Sequence, residues 1–252
     1  MTKKILITGA NGQLGHEMRN ALKGNNRFEC IFTDVAELDI CNAEAVKQII
    51  ADNHIDYIVN CAAYTQVDKA EDNAELCKKI NTDAVENLAR AAATYGARMI
   101  HISTDYVFNG RGYRPYTEDV VPDPQSVYGS TKLEGEKILT DICPESIIIR
   151  TAWLYSPYGN NFVKTMLHLG EEREELSVVA DQIGTPTCAA DLAQAILVIL
   201  QADTFVPGTY HFSDEGACSW YDFTVTIHRL AGITTCRVTP IRSDEYPSKA
   251  HR

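Results

Sequence analysis

Tyr128-Gly129-Ser130-Thr131-Lys132 is the segment whose residue types most directly promise chemistry. On a helix, residues four apart share a face, so Tyr128 and Lys132 would point the same way. An ammonium beside a phenol favours the phenolate and lowers the phenol pKa from about 10. Such a phenol could exchange a proton with a substrate oxygen near neutral pH. Upstream, Ser103-Thr104-Asp105 ends an apolar run, and the Thr104 hydroxyl could hydrogen-bond the same oxygen. A lone Y-x-x-x-K is common by chance. Its order in the chain, after a glycine-rich turn and a Ser/Thr strand end, is what points to interconversion of a carbonyl and an alcohol.

The glycine-rich turn is Gly9-Ala10-Asn11-Gly12-Gln13-Leu14-Gly15, directly after the apolar run Lys4-Ile5-Leu6-Ile7-Thr8. Glycines in a strand-to-helix turn let a pyrophosphate approach the backbone N–H groups at the helix start. Alone, the pattern also fits an ordinary turn with no ligand; its place after the first strand favours a dinucleotide. Asp34 closes the second strand-like segment, about 20 residues on, where an acid accepts hydrogen bonds from an adenosine ribose. A carboxylate there favours NADH over NADPH, whose 2′-phosphate would meet a like charge. An ordinary Asp opening a loop is an equally good reading.

The elements that must position these residues alternate along the chain. Strand-like runs at Cys30 to Asp34, Tyr57 to Ala62, Met99 to Ser103 and Ser146 to Ala152 are separated by helical patterns. Those patterns cover Gln13 to Lys23, Ala43 to Ala51, two stretches between Asp72 and Tyr95, and Tyr128 to Cys143. Apolar strands joined by helices of about ten residues or more imply a parallel sheet covered on both faces, an α/β doubly wound fold. The sequence therefore predicts a Rossmann-type dinucleotide-binding domain over 1–152. Residues 153–252, with helical patterns at Asn161 to Glu172, Asp191 to Ala202 and Trp220 to Gly232, read as a smaller and mainly substrate-binding portion. Trp153, just past the fifth strand, falls at the same sheet edge as Thr104.

Composition narrows the function classes. The chain has 252 residues, 45% hydrophobic and 23% charged, so it can bury a core without crosslinks. A net charge of −11 argues against a nucleic-acid partner. The eight cysteines form no C-x-x-C pair, and no apolar stretch reaches signal-peptide or membrane-spanning length. These features predict a cytoplasmic protein with reduced thiols and no membrane partner. The seven histidines are dispersed and no metal-ligand cluster is visible.

Taken together, these residues resemble the extended short-chain dehydrogenase/reductase family over the whole chain, and within it the dTDP-4-dehydrorhamnose reductase family. The narrower likeness rests on Asn60-Cys61-Ala62-Ala63-Tyr64-Thr65-Gln66-Val67-Asp68-Lys69-Ala70-Glu71, Ser103-Thr104-Asp105-Tyr106-Val107-Phe108, Tyr128-Gly129-Ser130-Thr131-Lys132-Leu133-Glu134-Gly135-Glu136 and Asp181-Gln182-Ile183-Gly184-Thr185-Pro186-Thr187. The resemblance implies NADPH or NADH as cofactor and a dTDP-sugar as substrate, reduced at a 4-keto group in dTDP-rhamnose and cell-surface polysaccharide biosynthesis. It implies Gly9, Gly12, Gln13, Leu14 and Gly15 at the pyrophosphate, Asp34 and Asp39-Ile40 at the adenosine, and Ala62, Ala63, Tyr64 and Thr65 on the nicotinamide side. Tyr128 and Lys132 would meet both cofactor and sugar. Thr104, Asp105 and Trp153 would surround the sugar, and Asn161, Phe162 and the Gln182 loop would lie near the nucleotide-sugar.

The same likeness implies a homodimer and, in some members, magnesium held by carboxylates at the dimer contact. Glu17 stands at one such position and Ala190 at another. Family members also continue past Tyr246-Pro247 into a further helix, so this chain reads as truncated at its C-terminus. Two other functions share these motifs. One is a nucleotide-sugar epimerase or dehydratase that retains its cofactor. The other is a non-catalytic NADP-binding subunit resembling the beta subunit of methionine adenosyltransferase.

Overall fold

The protein is described by a computed structural model covering residues 2–250. Strand β1 (Lys3–Thr8) is buried along its last four residues, as a strand covered on both faces must be. It pairs in parallel with β2 (Phe28–Thr33) on one side and β3 (Tyr57–Asn60) on the other. β4 (Arg98–Thr104) and β5 (Ile147–Thr151) continue the sheet beyond β3. The chain then makes short strands outside it: β6 (Leu154–Tyr155), β7 (Glu175–Val179), β8 (Ile183–Gly184) and β9 (Thr187–Cys188). β10 (Gly208–His211) returns and pairs in parallel with β5. The six-stranded order is β10-β5-β4-β3-β1-β2. Two strands, β11 (Cys218–Ser219) and β12 (Arg237–Ile241), follow in small pairs with β8 and β7.

Period-two alternation gives each strand two apolar faces. Leu6, Ile58, Met99 and Ile148 meet α2 (Ala43–Asn53), α5 (Ala84–Tyr95) and α6 (Val127–Ile142) through Val46, Ile50, Leu88 and Leu139. Ile5, Ile7, Val59, Ile100 and Ile149 meet α1 (Gln13–Leu22) and α8 (Ala189–Gln201) through Leu14, Met18, Leu192 and Ile196. This is a doubly wound, Rossmann-type α/β fold. Residues past 152 thus return to the central layers, α8 covering α1 and β10 extending the sheet.

A separate core of Met166, Leu176, Val178, Ile227 and Cys236 holds together α7 (Phe162–Glu172), α9 (Trp220–Ala231), β7 and β12. Between β3 and α5 the chain forms α3 (Val67–Ala70) and α4 (Ala74–Lys78), and a π turn over Lys79–Asp83 joins α4 to α5. Tyr246 to Ala250 carries no helix, and His251 and Arg252 lie outside the described residues. No helix among the described residues is long and apolar enough to cross a membrane. From β1 the chain leaves for β2 on one side and returns to β3 on the other. The carboxyl ends of β1 and β3 therefore flank a topological switch point, where this fold binds ligands.

Candidate active site

At the switch point, Gly9 takes φ +64°, and a Cβ there would lie 2.6 Å from the Ala62 nitrogen. Only glycine lets the turn after β1 press so closely on the segment after β3. The Gly12 N–H donates to the Gly9 carbonyl at 3.0 Å, closing the turn into α1. α1 begins at Gln13 with no side-chain cap and no acid in its first turn. Its leading N–H groups fit an anion such as a dinucleotide pyrophosphate.

The Asp34 carboxylate accepts the Asn11 N–H at 3.0 Å and the Val35 N–H at 2.8 Å, tying the end of β2 to the glycine turn. Asp39 is exposed and Ile40 is buried in the α2–α5 core, where Asn87 donates to its carbonyl at 3.1 Å. On the other side, the Asn60 side-chain carbonyl accepts the Ala62 N–H at 3.2 Å. Asn81, on the π turn, accepts the Tyr64 N–H at 2.8 Å and donates to the Tyr64 carbonyl at 3.0 Å. The segment from Ala62 through Ala63 and Tyr64 to Thr65 is thereby held across the mouth of the switch point. The π turn sets the Asn81 side chain against both backbone polar groups of Tyr64.

Tyr128 and Lys132 share the inner face of α6 and are 8% and 2% exposed. The Tyr128 hydroxyl faces Thr104, which ends β4. The Thr104 hydroxyl donates to Asp105 at 3.1 Å and accepts the Tyr106 N–H at 3.2 Å. Tyr106 also stacks edge-on against the Tyr128 ring at 5.5 Å. Burial pushes the Asp105 carboxyl up to about 6, with the Thr104 hydrogen bond opposing.

One expectation is corrected here. The Tyr128 phenol is pushed above its ordinary value, not below it, because burial outweighs the opposing effect of Thr104, and Asp105 adds a like charge. The Lys132 amine turns away to the sheet, donating to the Ile102 carbonyl at 2.6 Å and lying 3.3 Å from His101 Nε2. Burial lowers Lys132 to about 8.

α6 is fixed in place by a buried pair. Arg150 of β5 donates to Glu136 at 2.7 Å, and Ser103 of β4 donates to the same carboxylate. A Cβ on Gly135 would lie 2.3 Å from the Asn81 carbonyl, so α6 and the π turn touch backbone to backbone. These supports escaped the sequence reading, although spacing held a signal. His101 and Ser103, two apart on a strand, span about 6.6 Å. Lys132 and Glu136, four apart on a helix, span about 6 Å, so the two pairs can match.

The remaining sequence candidates divide between two places. Asn161 caps α7, accepting the Lys164 N–H at 3.1 Å, and donates to Gln13 at 2.9 Å, so it joins the glycine turn. Trp153 has φ +48° and stacks on Trp220 with ring centroids 3.4 Å apart. Trp220 donates from Nε1 to Gln182 at 3.1 Å, and Phe162 packs on its other flank at 4.5 Å. Trp153, Phe162 and Gln182 thus form one aromatic wall whose centre, Trp220, had no chemical spacing to reveal it. Glu17 is buried and accepts from Asn20 at 3.1 Å, and Ala190 offers no ligand atom. Among the described residues no group of three His, Cys, Asp or Glu could hold a metal ion, so this donor set does not make a magnesium site by itself.

A family model described as "RmlD substrate binding domain" matches residues 3–252. A dTDP-4-dehydrorhamnose reductase of Aggregatibacter actinomycetemcomitans is 42% identical over 258 residues, covering 99% of this chain and 88% of the relative. A crystal structure of a dTDP-4-dehydrorhamnose reductase from Clostridium acetobutylicum superposes with a TM-score of 0.95 at 51% identity, covering 99% of this chain and 87% of that one. The Bacillus anthracis enzyme, crystallised in complex with NADP, superposes with a TM-score of 0.96 at 42% identity, covering 100% of this chain and 88% of that one. With the glycine turn, the Thr104–Tyr128–Lys132 cluster and these likenesses in agreement, the chain belongs to the RmlD substrate binding domain family, that of the dTDP-4-dehydrorhamnose reductases.

Proposed function

We propose that this chain reduces the 4-keto group of dTDP-4-dehydro-L-rhamnose to give dTDP-L-rhamnose, with NADPH or NADH as reductant. The observation that carries the reading is the buried Tyr128 hydroxyl beside Thr104 at the carboxyl end of β4. A phenol raised by burial holds its proton at neutral pH, and reduction of a carbonyl needs a proton donor at the developing alkoxide. Tyr128 donates that proton, and Thr104 beside it orients the carbonyl. Lys132 holds the nicotinamide ribose. Gly9, Gly12, Gln13, Leu14 and Gly15 receive the pyrophosphate at the start of α1, and Ala62 to Thr65 line the nicotinamide side. The bound reduced nicotinamide supplies the hydride. Asp105, Trp153, Asn161, Phe162 and Gln182 surround the nucleotide-sugar, and residues 153–252 are the part that mainly selects it.

The choice of cofactor turns on Asp34. Its carboxylate would repel a 2′-phosphate, which speaks for NADH, whereas the NADP bound to the Bacillus anthracis relative speaks for NADPH. Asp34→Ser should raise kcat/KM for NADPH relative to NADH; an unchanged ratio would place Asp34 away from the adenosine ribose. The function itself is tested by mixing the keto-sugar with each reduced cofactor. One cofactor oxidised per sugar consumed is expected. Sugar conversion without net cofactor oxidation would assign an epimerase or dehydratase, and no turnover would favour a non-catalytic binding subunit.

A further inference from the structure

His101 has no part in the reaction just described, yet it lies directly under Lys132 and is fully buried, as is Asn60 beside it. Its two ring nitrogens are both engaged: Nδ1 lies 3.0 Å from Asn60 Nδ2, and Nε2 lies 3.3 Å from Lys132 Nζ. The positions of the protons along this row follow from one fixed group. The Ala62 backbone N–H can only donate, and it meets Asn60 Oδ1 at 3.2 Å, as does the Thr8 hydroxyl at 2.6 Å. Asn60 therefore presents its NH2 to His101, so Nδ1 accepts and the ring proton sits on Nε2. That N–H faces Lys132.

We propose that His101, carrying its proton on Nε2, is a positioning residue that holds Lys132 as a neutral amine turned toward the sheet in the cofactor-free protein. An ammonium at Lys132 would set two donors against each other at a site closed to water. Moving the ring proton to Nδ1 would set it against the Asn60 amide, and reversing that amide would set its NH2 against the Ala62 N–H. Each alternative leaves a buried clash of donors, which costs more than the neutral amine does.

The other titratable groups around Lys132 do not supply an alternative hold. Glu136, one turn on, favours the ammonium but is shared with Arg150 and Ser103, and Cys77 of α4 also favours it weakly beneath burial. Tyr128 is one turn before, on the same face of α6. Asp105, from the turn after β4, acts on Tyr128, and Glu71, after α3, accepts the Val127 N–H. Burial, against the pull of Glu136 and Cys77, brings Lys132 down to about 8; the opposed His101 N–H disfavours the ammonium further. Under the reductase reading, on which the functional consequence rests, Lys132 must gain a proton and turn outward when it takes up the ribose.

The test is NMR of the cofactor-free protein, which needs no turnover and so succeeds or fails independently of the assigned reaction. With histidines labelled in 15N, His101 should show the Nε2–H tautomer throughout the neutral range; an Nδ1–H tautomer or an imidazolium overturns the proposal. With lysines labelled at Cε, and Lys132 assigned by its loss in Lys132→Met, the wild-type amine should be mostly unprotonated at pH 7, its midpoint lying below that pH, and an ammonium there overturns the proposal. In His101→Phe the midpoint should rise by about one pH unit, a tenfold gain in proton affinity. An unshifted midpoint in the folded variant would reduce His101 to a packing role, and if that variant does not fold, the wild-type tautomer alone decides.

Discussion

Tyr128, the proton donor of the proposed reaction, keeps its proton because it is buried. Its phenol is displaced upward by burial, and the one neighbour that favours the phenolate is neutral Thr104. A donor that keeps its proton suits reduction, where the oxygen of the substrate must be protonated as hydride arrives. Tyr128→Phe keeps the ring that packs on Tyr106 and removes the proton. Turnover should fall by about 10²-fold or more while the cofactor dissociation constant stays within about twofold; undiminished turnover would remove Tyr128 from the role. The Y-x-x-x-K spacing made Tyr128 and Lys132 legible in the sequence, and the strand-end position did the same for Thr104. The direction of the Tyr128 shift was not legible, because spacing carries no information about how much water a helix face excludes.

Asp105 offers a second check at this scale, through stability. Its folded carboxyl is raised to about 6 from an ordinary 3.8. The folded state thus binds the proton more tightly than the unfolded chain. Stability falls as pH rises from 3.8 to 6 and then stays level, since both states are ionised above that range. Asp105→Asn removes this cost, so the variant should gain about 1–3 kcal/mol relative to wild type at pH 7 and nothing near pH 3. Urea unfolding at the two pH values measures the difference. An equal difference at both would show that Asp105 is not held in its raised state.

Among the elements, α6 carries Tyr128 and Lys132 of the proposed reaction, and buried contacts hold it in place. Its inner face is polar where most helices are apolar: Lys132 meets His101, and Glu136 meets Arg150 and Ser103. Removing one partner of a buried pair leaves the other charge uncompensated. Arg150→Met should destabilise the protein by about 3–5 kcal/mol, and adding Glu136→Gln should recover part of that loss in a double-mutant cycle. Strictly additive losses would show that the pair does not act as one unit. Helix and strand existence along 1–152 was readable from apolar periodicity. The π turn at Lys79–Asp83 was not, because the helical pattern of α4 and α5 runs through it without a proline or glycine to mark the change. Nor does the segment that forms β10 announce that it will join β5, since pairing partners far apart in sequence leave no local trace.

On the scale of the molecule, the two parts of the chain share one sheet and meet around the crevice that β1 and β3 open. The first part supplies the glycine turn, the Ala62–Thr65 segment and α6. The second supplies α8 and β10 to the sheet and the wall of Trp153, Trp220, Phe162 and Gln182. Asn161 links them by its hydrogen bond to Gln13, which ties the loop before α7 to the glycine turn. The wall's existence was half legible: Gln182 lies in a family-like segment and Trp153 follows the fifth strand at the sheet edge, whereas Trp220 becomes part of it only because α9 starts beside β8.

All of these features converge on one chemical event, delivery of a hydride to the 4-keto carbon of a dTDP-sugar. The most direct measurement supplies the reduced cofactor with deuterium at the transferable position of nicotinamide C4, together with dTDP-4-dehydro-L-rhamnose, and reads the product by mass and NMR. One deuterium at C4 of the dTDP-L-rhamnose formed is expected for each cofactor oxidised. Product with no deuterium at that carbon, or sugar conversion with the cofactor left unoxidised, would contradict it.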